Sequence, residues 1–433
     1  MNHPLDCPDS DTTLLANGVR AVAVRLPHLE TASVSVFVHT GSGHESPREN
    51  GVSHFVEHMA FKGTAGRDCQ RINLDAERLG GEVNAHTDKD HTAFHMRGLA
   101  RDAGAFVRML GDIVQHGTFP DAELERERQV LLHEYVEDDD DPLSTAFKLF
   151  DRACYGTHPM AQPVMGTRSN IQRLSRADLL GYVERQYSGA NVVVGVAGPV
   201  DPEAVAADVE AAFGDMRAGA MNRVAAPAWH GGVRTRRLPG CPQTHVVMGF
   251  PIPSLAEDPT AAMVAAALFG EGMSSPLMDQ IRERRGLVYY AACSADVMDV
   301  AGQFVIEAST SAEHVDEFLS EVARLLVEHA GHVDAVALER ARNQIAVRTL
   351  RSQEKPFRRL EEVAQDLYVH GRARPRAELM ERVWALSAQD VRSAFERMLA
   401  AGAAVAIAGK VPAGAKERWQ GLVPGTAAAV AEA

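Results

Sequence analysis

The chain has little cysteine, and none of it is arranged in pairs. Its five cysteines, Cys7, Cys69, Cys154, Cys241 and Cys293, are scattered and include no CxxC. That argues against cysteine-bound zinc and for reduced thiols in a cytoplasm-like compartment. No apolar stretch approaches the ~20 residues that cross a bilayer, so no membrane segment is expected. The opening MNHPLDCPDSDTT lacks the basic-then-apolar order and cleavage site of a secretory signal, and the Arg-rich pattern of an organelle presequence. A cytoplasmic location is the expectation. Positive charge is in deficit: 44 Lys and Arg against 58 Asp and Glu give a formal net charge of −14. Phosphate is repelled by such a surface, which argues against non-specific nucleic-acid binding.

What is present is an ordinary soluble balance, 45% apolar and 24% charged over 433 residues. That length exceeds one ordinary core and predicts two domains. The sequence also repeats. Leu174-Ser-Arg-Ala-Asp178 opens a helix running to Glu184-Arg185, and Leu386-Ser-Ala-Gln-Asp390 opens another, with Glu396-Arg397 at matching places. In both, Ser followed three residues later by Asp forms a helix N-cap signal. Each helix leads to a short apolar strand, Val192 to Gly198 and Ala404 to Gly409, ending in Ala-Gly. The second helix starts 212 residues after the first (174 to 386). Period-2 strands open both halves, at Val19 to Arg25 and Ala32 to Val38, then at Arg234 to Leu238 and Thr244 to Phe250. The prediction is an α+β fold of two homologous domains, each a mainly antiparallel sheet packed against helices. The first is placed at 1–215, a linker at 216–232 and the second at 233–433, with a loose Ala-rich tail from Pro424.

The chemistry concentrates in His54-Phe-Val-Glu57-His58. On a helix, residues four apart share a face, so His54 and His58 can converge on one ion. Glu57 sits beside that face, where a base acting on water belongs. A catalytic zinc needs a third protein ligand and an open fourth position. The predicted helix Ala122 to Glu137 offers Glu127 and Glu134, two turns apart on one face. One can bind metal while the other steadies the site. Spacing alone does not choose between them, because Glu123, Glu125 and Glu137 share the helix.

HFVEHMAFKGT together with ERERQVLLHE resembles the inverted-motif (HxxEH) zinc metallopeptidase family of pitrilysin, insulin-degrading enzyme and mitochondrial processing peptidase. In that family the third ligand follows HxxEH by about 75 residues, with another Glu seven before it; 75 residues separate His58 from Glu134, and Glu127 precedes Glu134 by seven. The resemblance implies His54, His58 and Glu134 as ligands of one Zn2+ per chain, Glu57 as general base and Glu127 as support. It further implies that Glu82 to Thr87 is a sheet edge pairing with extended peptide, with Asn84 and Ala85 at the peptide-contacting positions. Nearby His86, His91 and His95 raise the alternative of a second metal, but the expectation is exposed hairpin histidines. Phe269-Gly-Glu-Gly-Met-Ser-Ser-Pro-Leu277 resembles the family's glycine-containing segment, with Glu271 and Pro276 as departures; it lacks the Gly-Lys-Ser/Thr ending of a phosphate loop. The family carries an Arg and a Tyr seven residues apart at the place of Arg282 and Tyr289, groups that grip a peptide carbonyl and donate to the developing oxyanion. Tyr290 is the rival if the register slips by one. Double-length relatives put zinc in one half and Arg/Tyr in the other. A half-length chain holding both is therefore expected to be a homodimer in which Arg282 and Tyr289 complete the partner's site. The implied activity is zinc-dependent endopeptidase action on peptides. The competing reading is a non-catalytic peptide-binding or scaffold subunit, and a third is a hetero-oligomer in which this chain supplies only the zinc.

Overall fold

The computed structural model describes residues 10–411 and 414–420; Cys7 and the tail from Pro424 lie outside them. The first sheet is built from β1 (Ser10–Leu14), β2 (Arg20–Arg25), β3 (Thr31–Val38), β4 (Glu82–Thr87), β5 (Thr92–Leu99) and β6 (Val192–Gly198), in the order β1-β2-β6-β3-β5-β4. The second contains β7 (Gly232–Arg237), β8 (Thr244–Pro251), β9 (Tyr290–Val297), β10 (Gly302–Thr310) and β11 (Ala404–Gly409), ordered β7-β11-β8-β10-β9. With β1 set aside the two orders coincide strand for strand. Each sheet has one parallel pair, β2 with β6 and β7 with β11, and is otherwise antiparallel. The fold is α+β and duplicated. Capping boxes form at both repeated sites, Ser175 with Asp178 and Ser387 with Asp390.

The chain forms two compact units, and their membership does not follow chain order. The helix Pro142–Tyr155 belongs with the second sheet, where it packs on β7, β8 and β11. The helix Pro356–His370 belongs with the first sheet, where it packs on β2, β3 and β6. Its Leu360, Ala364, Leu367 and Tyr368 bury against Val22, Val24, Phe37 and Val193. Close approach is possible because position 195 in β6 is glycine: a Cβ there would stand 2.7 Å from Leu360 Cδ2. Phe150 uses Gly249 of β8 in the same way, at 2.6 Å. Each half thus contributes one helix to the other half's sheet.

The acidic run 137–141 is partly engaged. Lys148 pairs with Asp138, Arg236 forks onto Asp139, and Asp141 caps the following helix through Ser144 N–H. The four described cysteines form no disulfide. Among the described residues, no helix is long and apolar enough to cross a membrane.

Candidate metal centre

The helix Val52–Ala60 presents His54, Glu57 and His58, with Val52, Phe55, Val56 and Met59 buried on its other side. Its N-cap is Gly51, left-handed at φ 99° and with no side chain to cap the helix. Glu45 does that work from outside. Its carboxylate accepts from Gly51 N–H at 2.7 Å, Ser53 N–H at 2.7 Å and Asn50 Nδ2 at 2.9 Å. Glu45 is 1% exposed. Burial raises its pKa, against the pull of these hydrogen bonds. Tyr182 adds a second brace, bonded to both Ser53 Oγ and Thr40 Oγ1 at 2.7 Å. Glu45→Gln turns one acceptor into a donor facing a buried N–H. It should cost roughly 2–4 kcal/mol, read as a lower melting temperature in metal-free buffer.

The second element is the helix Asp121–Asp140. Arg128, buried within it, donates to the Ile171 and Leu174 carbonyls and sits 5.4 Å over the Phe55 ring. One buried arginine therefore fixes this helix against the histidine helix. Glu134 Oε2 then lies 4.0 Å from His54 Nε2 and 3.6 Å from His58 Nε2, and the three ligand atoms are within 4.8 Å of one another. Two imidazole nitrogens and one carboxylate oxygen are a donor set used by catalytic zinc, and the residues present fit that ion.

Behind this triangle, His58 Nδ1 lies 3.1 Å from Glu127 Oε2, and Lys62 Nζ binds the other Glu127 oxygen at 2.8 Å. With Nδ1–H donating to Glu127, Nε2 keeps its lone pair for an ion. His54 lacks this support: its Nδ1 is buried without a hydrogen-bond partner among the described residues. Burial, then the neighbouring His58, push the His54 pKa down to about 3. Its ring is unprotonated at neutral pH and available to ligate.

Glu57 stands beside the triangle. Burial raises its pKa, while a 2.7 Å hydrogen bond donated by Thr87 Oγ1 to Glu57 Oε2 pulls it back. Thr87, Lys62, Arg128 and Glu45 were not singled out in the sequence. Thr87, Lys62 and Arg128 lie inside quoted motifs, but nothing local marks their partners.

β4 is the open edge of its sheet. Asn84 is exposed and Ala85 half-buried on it. Ala85 N–H is bound by Asn84 Oδ1 at 2.8 Å, so this donor faces away from β5 toward the free edge. His91 departs from the expectation of exposed hairpin histidines. It is 4% exposed, covered because the helix Pro356–His370 arrives from far along the chain; His86 and His95 are half-buried.

Arg282 and Tyr289 belong to the second unit, whereas the triangle belongs to the first. Arg282 lies in a π-helical segment, Leu277–Arg284, with its side chain 41% exposed. Tyr289 is 65% exposed. Its rival Tyr290 is committed elsewhere, donating to Glu307 Oε1 at 2.7 Å, a bond that raises its pKa to about 12.

Comparison with known proteins extends this picture. The description of the insulinase family, peptidase family M16, matches residues 20–168, and that of the peptidase M16 inactive domain matches residues 173–345. A zinc protease of Rickettsia bellii is 29% identical over 91% of this chain and 96% of its own length. A zinc protease of Mycobacterium leprae is 33% identical over 74% of this chain and 73% of its own. The mitochondrial-processing peptidase subunit beta of Caenorhabditis elegans is 27% identical over 93% and 90%. In fold, the chain is similar to a peptidase M16 inactive domain from Pseudomonas fluorescens, with TM-score 0.85 and 23% identity over 94% of this chain and 99% of that one. A protease from Helicobacter pylori gives 0.84 and 20% identity over 93% and 100%.

Proposed function

The chain belongs to the insulinase family, peptidase family M16, and from that premise, a zinc protease, we propose an endopeptidase that hydrolyses peptides or unfolded segments with Glu57 as general base. One observation carries the reading: His54, His58 and Glu134, the last separated from His58 by 75 residues of chain, bring their ligand atoms within 4.8 Å of one another.

In this reading His54 and His58 Nε2 and Glu134 Oε2 hold the ion. Bound there, zinc polarises the scissile carbonyl and lowers the pKa of a water from ~15.7 to about 7. Glu57 takes a proton from that water on the carboxylate oxygen that Thr87 leaves open, then delivers it to the departing amine nitrogen. Burial, which raises its pKa, makes this carboxylate a better proton acceptor. Glu127 keeps the His58 tautomer correct, and Lys62 holds Glu127 in place. Thr87→Val should lower kcat roughly 5–10-fold with KM little changed, since it frees the base without touching peptide contacts; steady-state kinetics reads that split.

Substrate enters as a strand added to β4, held through backbone hydrogen bonds indifferent to sequence. Asn84 and Ala85 contact it, the Asn84 side chain releasing Ala85 N–H to a peptide carbonyl. Arg282 grips a substrate carbonyl and Tyr289 donates to the oxyanion, across a homodimer in which each chain completes the other's site. The exposure of Tyr289 and the commitment of Tyr290 to Glu307 support that register. The convergence of His54, His58 and Glu134, with Glu127 bonded behind His58, supports this reading over the scaffold alternative.

Two measurements test the function. A peptide-library digest should show cleavage that a chelator abolishes and zinc restores. His58→Ala should lose the ion at this site and all cleavage; cleavage that survives in that variant would overturn the reading.

A further inference from the structure

The β4–β5 hairpin and the helix Pro356–His370 assemble a second set of ligand-type side chains that the peptidase reading does not use. His86 Nε2 lies 3.5 Å, and His91 Nε2 3.6 Å, from the same oxygen, Glu361 Oε1. The three ligand atoms lie within 4.8 Å of one another. At the first triangle the corresponding separations are 4.0 and 3.6 Å. A tetrahedral ion with bonds of about 2.0–2.1 Å sets its ligand atoms about 3.3–3.5 Å apart. The second triangle fits that requirement more closely than the first.

Three features mark it as a built site. His91 is 4% exposed, and its Nε2, aimed at the carboxylate, is buried without a hydrogen-bond partner among the described residues. A buried imidazole nitrogen held only by a carboxylate beyond hydrogen-bond distance is under-satisfied, and a bound cation removes that cost. The carboxylate is held in place, since Arg358 donates to Glu361 Oε2 at 2.6 Å and leaves Oε1 facing the two rings. The His86 ring is also fixed, with Phe357 packed edge-on to it at 5.6 Å and tilted on His95 at 4.6 Å.

We propose that His86, His91 and Glu361 bind a divalent transition-metal ion of the zinc class, tying the open edge strand β4 to the helix borrowed from the other half of the chain. Two imidazoles with one carboxylate suit zinc, copper or nickel and not magnesium or calcium, which prefer all-oxygen sets. The proposal does not depend on the first triangle. Its alternative is a metal-free cluster in which a protonated His91 pairs with Glu361.

Equilibrium dialysis against buffered Zn2+, followed by elemental analysis, separates the two. The wild-type chain should hold two equivalents, His58→Ala one, Glu361→Gln one, and the His58→Ala/Glu361→Gln chain none. His86→Ala, at a side chain 33% exposed and therefore tolerant of truncation, should lose the same ion as Glu361→Gln. The melting temperature of His58→Ala should rise with added Zn2+, and the rise should vanish when His86→Ala is added. The proposal is overturned if His58→Ala binds no ion at a zinc concentration that saturates the wild type. It is equally overturned if the ion in His58→Ala survives both Glu361→Gln and His86→Ala. An ion kept through His58→Ala but lost through Glu361→Gln, with no second equivalent in the wild type, would remove the first site and leave this one standing.

Discussion

Glu57→Gln should leave the zinc content unchanged and slow peptide cleavage at least ~10²-fold. The side chain keeps its volume and can still accept from Thr87, so the local packing survives. It loses the one property the reaction needs, a carboxylate oxygen that can take a proton from water and later give it up. Because Glu57 is not one of the three converging ligand groups, the ion stays. Elemental analysis beside kcat/KM reads both halves of the prediction. Normal cleavage by this variant would remove Glu57 as the base, and loss of zinc would mean that Glu57 ligates.

Mixing two inactive chains should restore cleavage. In the proposed homodimer, Glu57→Gln alone would lack the base in both sites, and Tyr289→Phe alone would lack the oxyanion donor in both. If Tyr289 serves the partner's zinc, a mixed dimer has one complete site, built from the Glu57 of one chain and the Tyr289 of the other. Random assortment makes roughly half of all dimers mixed, so recovery should reach about a quarter of wild-type activity. If Tyr289 served its own chain's zinc, the mixture would stay as inactive as its components. The readout is cleavage rate after unfolding and refolding the two chains together. A Tyr290→Phe chain is the control for register. It removes the hydroxyl bound to Glu307 and should leave activity near wild type.

Much of this architecture is legible in the sequence, and the particular failures share one cause. The apolar strands Val192–Gly198 and Ala404–Gly409 stand where their composition puts them, because buried strands carry their signal locally. Ser175 and Ser387 cap their helices because the capping box is a four-residue pattern. His54 and His58 share a face by helix geometry alone. Spacing alone does not choose Glu134 over Glu127; the family's pattern does. In the structure Glu134 faces both histidine Nε2 atoms, while Glu127 stands behind His58. What stayed hidden is what comes from outside the element itself. The cover over His91 lies some 270 residues downstream (91 to 361), and the cap on Gly51 is a glutamate outside the helix. The acids of 137–141 find Lys148 and Arg236 in the same way. Such pairings leave no periodicity to read, because neither partner changes the pattern of its own neighbours.

The exchange of helices has a consequence for how the molecule is made. A ribosome that has released the first 224 residues has delivered His54, Glu57, His58, Glu127 and Glu134, yet the apolar face formed by Val22, Val24, Phe37 and Val193 is still bare. Its lid, Pro356–His370, emerges only after most of the second sheet has been synthesised. Each sheet closes on a segment encoded in the other half, so neither half can mature on its own schedule. A truncated product ending before residue 356 carries every candidate ligand of the first triangle on helices beside a sheet face that water still reaches.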